Sequence, residues 1–356
     1  MTKEYQKQFL KKKDLFNKSI DPFCSNKNYF QSKPLNFRTR IEFGIKDFDG
    51  HLGFSMTEDG KSIEIEKMSI CHKRINNLMK EILVALEANK EFSKKIFQIE
   101  FQVSRNNEAM VTLIYHRELD SKWEEKAEEI AYQLDCSLIG RSRQQLLIKG
   151  KNFVTENYKS KKNNYPLQLF EQCFSQTNPG ICDDMLAWVE ENSHSKDDIL
   201  ELHCGLGTFT ILFSKLYGSV LATENSRPSI AGLKENLALN KVNNVFYARL
   251  SGSETLDALN QVREFRRLKE IDLNKFNFST IFLDPPRSGL DNGTLTEVSS
   301  FEQIIYISCG FQSVLRDLKQ LNKTHKIKSA ALFDQFPYTN HMETGFVLEK
   351  RQPGQV

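Results

Sequence analysis

Between residues 37 and 148, apolar and polar positions alternate in short runs: FRTRIEFGI, LGFSM, SIEIE, IFQIEFQVS and AMVTLIYH. A period of two sends one face of each run into a core, so these predict strands. Asp49-Gly50 and Asp59-Gly60 supply turns between them. Two stretches with a wider period, 75–89 and 122–134, predict helices, as does the polar amphipathic opening MTKEYQKQFLKKKDLF. Strands with a few helices in this order predict an α+β domain on an antiparallel sheet. The polar run 158–164, YKSKKNN, stands before Pro166 and reads as a linker. It divides the chain into an N-terminal domain, 1–165, and a C-terminal domain, 166–356.

After Pro166 the rhythm changes. Short apolar runs fall at 199–202, 220–223, 245–248, 280–283, 304–308, 330–333 and 345–348, with helical patterns between most of them, such as 226–240. This alternation predicts an α/β class, a Rossmann-like, doubly wound sheet of seven mainly parallel strands. Such sheets hold ligands beyond the carboxyl ends of their strands.

With 356 residues the chain can bury two cores, and its 39% hydrophobic and 27% charged residues are those of a globular protein. No apolar run approaches a membrane span, and the opening lysines lack the apolar core of a secretory signal. Seven cysteines at irregular gaps include no CxxC pair, so neither a zinc ribbon, another metal site nor an iron–sulfur cluster is expected. Reduced thiols point to the cytoplasm. No feature calls for an obligate protein partner. A net charge of +3 neither demands nor forbids a nucleic-acid partner.

The 199–202 run leads into His203-Cys204-Gly205-Leu206-Gly207-Thr208, whose glycines permit a tight turn and close ligand approach. Glu224 closes the next run, where a carboxylate can accept hydrogen bonds from ribose hydroxyls. The pair suits an adenosine cofactor. Absence of the full dinucleotide fingerprint favours S-adenosylmethionine over NAD.

The 280–283 run ends in Asp284-Pro285-Pro286-Arg287, which holds an acid and carbonyls at a fixed aim, suited to a planar base. The next run delivers Cys309, a candidate nucleophile, and the last is preceded by FDQFPYTNHME, ending in Glu343. Carbon 5 of uracil needs a thiolate on carbon 6 before it can take a methyl group, and a carboxylate must then remove its hydrogen. One thiol, one base and one sulfonium cofactor make a coherent reaction. A lone strand-end cysteine can equally be a small buried hydrophobe.

DPPRSGLD, YISC and ALFDQFPYTNHMETG closely resemble the RNA uracil-5-methyltransferase family, and within it the bacterial tRNA enzymes. The likeness extends through LELHCGLG, VLATENSRPS and VREFRRLKEIDL to FRTRIEF, KIFQIEF and LIYHREL. It implies methylation of uridine 54 in the tRNA T-loop, and of the equivalent uridine in transfer-messenger RNA. By position it implies Cys309 as nucleophile and Glu343 as proton acceptor. Gln176, His203, Thr208, Glu224 and Asp284 fall where the family holds cofactor and reacting base. Phe174, Arg287, Phe97, His116 and the Arg38/Arg40 pair resemble RNA-contacting positions.

Three positions depart from the family pattern. Thr177 stands for Pro, Thr208 for Asn, and Gly310-Phe311 for Asn-Pro. The last bears on the rigidity of the loop after the cysteine. Relatives acting on rRNA often carry an N-terminal barrel and a four-cysteine cluster. This chain has too short a leader for the first and lacks the spacing for the second, which favours tRNA. An rRNA uridine and a non-catalytic RNA chaperone remain the alternatives, with an oxidoreductase a distant third. REFRRLK, 263–269, reads as a basic helix face.

Overall fold

The computed structural model describes residues 3–193 and 197–352. The chain starts with helix α1 (Lys3–Ile20) and a short strand, β1 (Lys27–Phe30). Then β2 (Arg40–Phe48), β3 (His51–Glu58), β4 (Lys61–Glu64), β5 (Ile96–Val103), β6 (Ala109–Tyr115), β7 (Ser137–Arg141) and β8 (Leu146–Lys149) form one seven-stranded sheet in the order β4-β3-β2-β5-β6-β7-β8. All its pairings are antiparallel except β6–β7, which the helix α4 (Ser121–Gln133) connects. Asp49-Gly50 and Asp59-Gly60 make the β2–β3 and β3–β4 turns, all four with positive φ. Helices α2 (Lys73–Ala88), α3 (Lys90–Ser93) and α4 share a core with this sheet, as the alternating pattern requires.

Strands β9 (Phe153–Lys159) and β10 (Asn164–Phe170) pair as a hairpin. The expected linker is therefore the turn of that hairpin and part of its strands. Its polar residues occupy the turn, while Val154, Tyr158, Tyr165, Leu167 and Leu169 are buried on either side.

The C-terminal sheet contains β11 (Asp198–Leu202), β12 (Val220–Thr223), β13 (Val245–Ala248), β14 (Phe278–Leu283), β15 (Gln303–Ser308), β16 (His325–Phe333) and β17 (Glu343–Lys350). All seven expected strands are present, and β1 adds an eighth. The order is β1-β16-β17-β15-β14-β11-β12-β13, parallel throughout except for β17. Helices α5 (Pro179–Asn192), α6 (Thr208–Leu216), α7 (Arg227–Leu239), α8 (Gly252–Leu259), α9 (Asn292–Val298) and α10 (Phe311–Leu321) complete this unit.

The division at 165 thus needs correction at the N-terminus, because β1 pairs with β16 in the C-terminal sheet. Helix α1 joins the same unit. Its buried positions, Tyr5, Phe9, Lys12, Phe16 and Ile20, recur at three- and four-residue intervals, and Phe9, Phe16 and Ile20 enter the core beside Leu283, Tyr306 and Phe346. Each such apolar side chain contributes about 1.5–3 kcal/mol on full burial. The REFRRLK segment also differs from expectation: only Arg266–Leu268 is helical, as one 3-10 turn whose Leu268 packs over the β13 edge.

Candidate active site

The segments after β14 and β15 meet the loop joining β16 to β17 at one edge of the C-terminal sheet, and strand pairing sets their positions. Leu283 is level with Tyr306, so Asp284 leaves β14 beside the last residues of β15. Ser308 is level with Thr344, so Cys309, one residue on, and Glu343, one residue back, emerge next to each other from antiparallel neighbours. On its other side Glu343 pairs with Phe333, which places Asp334 and Gln335 at the same edge.

The loop after Asp284 cannot extend the ladder, since two prolines lack N–H donors. It is tied down instead by α10. Buried Asp317 accepts hydrogen bonds from the Leu290 N–H at 3.0 Å and the Tyr306 hydroxyl at 2.8 Å. The Ser313 hydroxyl reaches the carbonyls of Arg287 at 2.7 Å and Gly310 at 2.8 Å. A Cβ on Gly310 would lie 2.3 Å from the Arg287 carbonyl oxygen, so glycine lets the two loops touch. Ser313 and this contact brace the loop where the sequence departs from Asn-Pro.

The electrostatics are dominated by burial. Glu343 is 3% exposed, and burial holds its carboxyl well above the usual range, helped by Asp284 and opposed by Arg287. Burial likewise raises Asp284. The Cys309 thiol is pushed up by burial and then by Glu343 and Asp284, while the Arg287 guanidinium nearby pulls it back down. The structure therefore gathers Cys309, Glu343, Asp284 and Arg287 into one cluster.

Beyond β11, His203 (φ 61°) and Gly205 (φ 56°) lie in the left-handed region, and burial lowers the His203 pKa. Gly207 is also left-handed (φ 92°), and a Cβ there would strike Leu233 at 2.5 Å. Thr208 is the first residue of α6. Glu224 accepts hydrogen bonds from Gly205 N–H at 3.2 Å and Ser226 N–H at 2.7 Å, which aims its carboxylate at the loop. Gln176 is buried, and its Oε1 accepts a 2.8 Å bond from Gln335 Nε2.

Two members of this edge escaped the sequence reading. Gln335 lay unremarked within an aromatic loop. Glu201 sat inside an apolar strand run and is 1% exposed. Neither Glu201 oxygen makes a hydrogen bond of normal geometry. Burial pushes its carboxyl up to about 8, against the pull of the Thr210 hydroxyl. An acid inside a strand that otherwise reads LxL was the available signal.

These features fit a cationic adenosine cofactor. No atom lies within 4 Å of a Cβ built on Gly205, which leaves room above the loop, and a cation beside buried Glu201 would draw its carboxyl toward the charged form.

Apart from Arg287, the RNA-contact candidates lie in three places. Phe97 and His116 stack at 3.8 Å and 8° on the N-terminal sheet, in a cleft of about 880 Å³ shared with Arg117, Arg141 and Arg143. Phe174 is 72% exposed on the loop that also carries Gln176. Arg40 sits at the junction of the two units: its guanidinium engages Glu100 and the carbonyls of Cys173 and Glu171, while Arg141 pairs with Glu171. Arg38 is half-buried and donates to the Arg40 carbonyl at 2.9 Å. No helix among the described residues is long and apolar enough to cross a membrane.

A Rossmann-like sheet with a glycine loop and a strand-end acid at its carboxyl edge is the architecture of an S-adenosylmethionine-dependent methyltransferase. Residues 4–351 match the model of the tRNA (Uracil-5-)-methyltransferase family. The tRNA/tmRNA (uracil-C(5))-methyltransferase of Acinetobacter baumannii (strain ACICU) is 39% identical over 360 residues, covering 98% of this chain and 100% of the relative. That of Ectopseudomonas mendocina (strain ymp) is 40% identical over 352 residues, covering 98% and 97%. The structure of Pyrococcus abyssi tRNA (uracil-54, C5)-methyltransferase in complex with S-adenosyl-L-homocysteine superimposes with a TM-score of 0.74 at 20% identity, over 97% of this chain and 83% of that one. It shares the fold.

The chain belongs to the tRNA (uracil-5-)-methyltransferase family. Its reaction is S-adenosylmethionine-dependent methylation of carbon 5 of a tRNA uracil.

Proposed function

We propose that the target is uridine 54 of the tRNA T-loop, with the equivalent uridine of transfer-messenger RNA as a second substrate, and that the reaction passes through a covalent bond between Cys309 and carbon 6 of the base. The observation that carries this reading is the placement of Cys309 and Glu343 on adjoining strand ends. The Cys309 thiolate adds to carbon 6, and the displaced ring electrons make carbon 5 nucleophilic. Bound S-adenosylmethionine supplies the electrophilic methyl group. Glu343 then takes the carbon 5 proton, the ring double bond reforms, and the carbon–sulfur bond breaks to return the thiol.

Asp284 and the rigid Pro285-Pro286 turn orient the uracil. Gln176, His203, Thr208, Glu224 and Glu201 hold the cofactor. The T-loop base must leave its stack at a cost of roughly a few kcal/mol, which exposed Phe174 and the Phe97–His116 stack offset by offering aromatic faces. Such a tRNA substrate places the reaction in the cytoplasm.

The test is methyl transfer from labelled cofactor to a minimal T-arm hairpin and, separately, to rRNA fragments. Label in the hairpin is expected. Label confined to rRNA would move the enzyme to the other substrate.

A further inference from the structure

The nine residues between β16 and β17, 334–342, have no regular structure, yet they join Gln335 to Glu343. Their inner side faces the site through the Gln335–Gln176 bond. Their outer side is held by one face of α1. Lys12 Nζ donates to Asp334 Oδ1 and to the Phe336 carbonyl, both at 2.8 Å. The Tyr5 hydroxyl donates to Asp334 Oδ2 at 2.7 Å, and its ring packs 5.5 Å from that of Tyr338. Gln8 Nε2 donates to the Thr339 carbonyl at 2.8 Å. Positions 5, 8 and 12 follow the three- and four-residue spacing of one helical face.

The Lys12–Asp334 pair is nearly dry, with side chains 5% and 0% exposed. Desolvating two charges offsets much of their attraction, so such a pair is a weak source of stability and a strong constraint on geometry. Both Asp334 oxygens are engaged, and its N–H donates to the Phe30 carbonyl at 2.9 Å. The loop is fixed at its start by α1 and β1 together, and along its length by Lys12 and Gln8.

We propose that α1 is a brace for the 334–342 loop and that Lys12 and Gln8 are positioning residues for methyl transfer, acting through Gln335 and Glu343. The proposal rests on the function given above. Whole-protein variants Gln8→Ala and the double Lys12→Met/Asp334→Asn, which strands no buried charge, test it. Three quantities are measured: the single-turnover transfer rate per folded enzyme, the Kd for tRNA, and hydrogen exchange over 335–342.

About tenfold slower transfer at unchanged tRNA affinity is expected, with faster exchange confined to that loop, since small misplacements of reacting groups are costly. Destabilisation alone would lower the melting temperature and leave the rate per folded molecule unchanged, and that result overturns the proposal. Should the double variant fail to fold, Gln8→Ala decides by the same criteria. If wild-type enzyme transfers no methyl, the functional reading falls instead, and the brace is judged by exchange, with an unchanged loop counting against it.

Discussion

The Thr344 hydroxyl donates a 3.2 Å hydrogen bond to the Ser308 carbonyl, locking the start of β17 to the end of β15. Because the two residues are register partners, the next residue on one strand is Cys309 and the preceding one on the other is Glu343. The proposed nucleophile and base are thus positioned by sheet register, which shifts only in whole-residue steps. A slip of one residue would turn one of them away from the site.

That division of labour gives different phenotypes to the two variants. Cys309→Ala should reduce methyl transfer to background. Glu343→Gln should allow adduct formation and methylation but slow release by about 10²–10⁴-fold, the usual worth of a general base. An RNA–protein species surviving denaturing electrophoresis is then expected for Glu343→Gln alone.

The pH dependence follows from the raised thiol and carboxyl. Cys309 is held above its ordinary pKa, so its thiolate fraction, and with it kcat/KM, should climb as pH rises beyond neutrality. Glu343 is also raised and gains its charge over a more alkaline range than an exposed glutamate, which reinforces the same direction. Arg287 favours the thiolate, so Arg287→Gln should move the rising limb to higher pH. Profiles of kcat/KM against pH for the two proteins check this, and an unmoved limb would contradict it.

Glu224 is oriented by two backbone donors and, with about four lone-pair sites, can still accept from a ligand. Glu224→Ala should weaken S-adenosylmethionine binding by about tenfold or more, as expected for hydrogen bonds to a charged group. Calorimetric titration of the folded variant measures it, with tRNA affinity expected to hold.

Arg40 was a candidate RNA contact, yet its guanidinium bridges Glu100 to the loop bearing Phe174 and Gln176. We expect Arg40→Met to weaken tRNA binding without lowering the salt slope of log K, because no phosphate contact is lost. A phosphate-binding arginine would lower that slope by about one. Binding isotherms across a salt series distinguish the two.

Much of the site was legible because its residues follow strands that are buried on both faces and therefore read as apolar runs. The 280–283 and 304–308 runs end directly before Asp284 and Cys309. The place of β1 was not legible. Its four residues are all half-buried, and its partner lies some 300 residues away, beyond any local pattern. The hairpin over 153–170 hid its turn in a run whose composition matches a linker. Lys12 gave no signal either, since a lysine among lysines reads as solvated until a buried Asp334 is found against it.

The covalent step is tested most directly with a T-arm RNA carrying 5-fluorouridine at the target position. Fluorine cannot leave as a proton, so the methylated adduct should remain attached, and mass spectrometry should find the peptide containing Cys309 linked to RNA. An unmodified Cys309 peptide, alongside methylated product accumulating at the normal rate, would contradict the account.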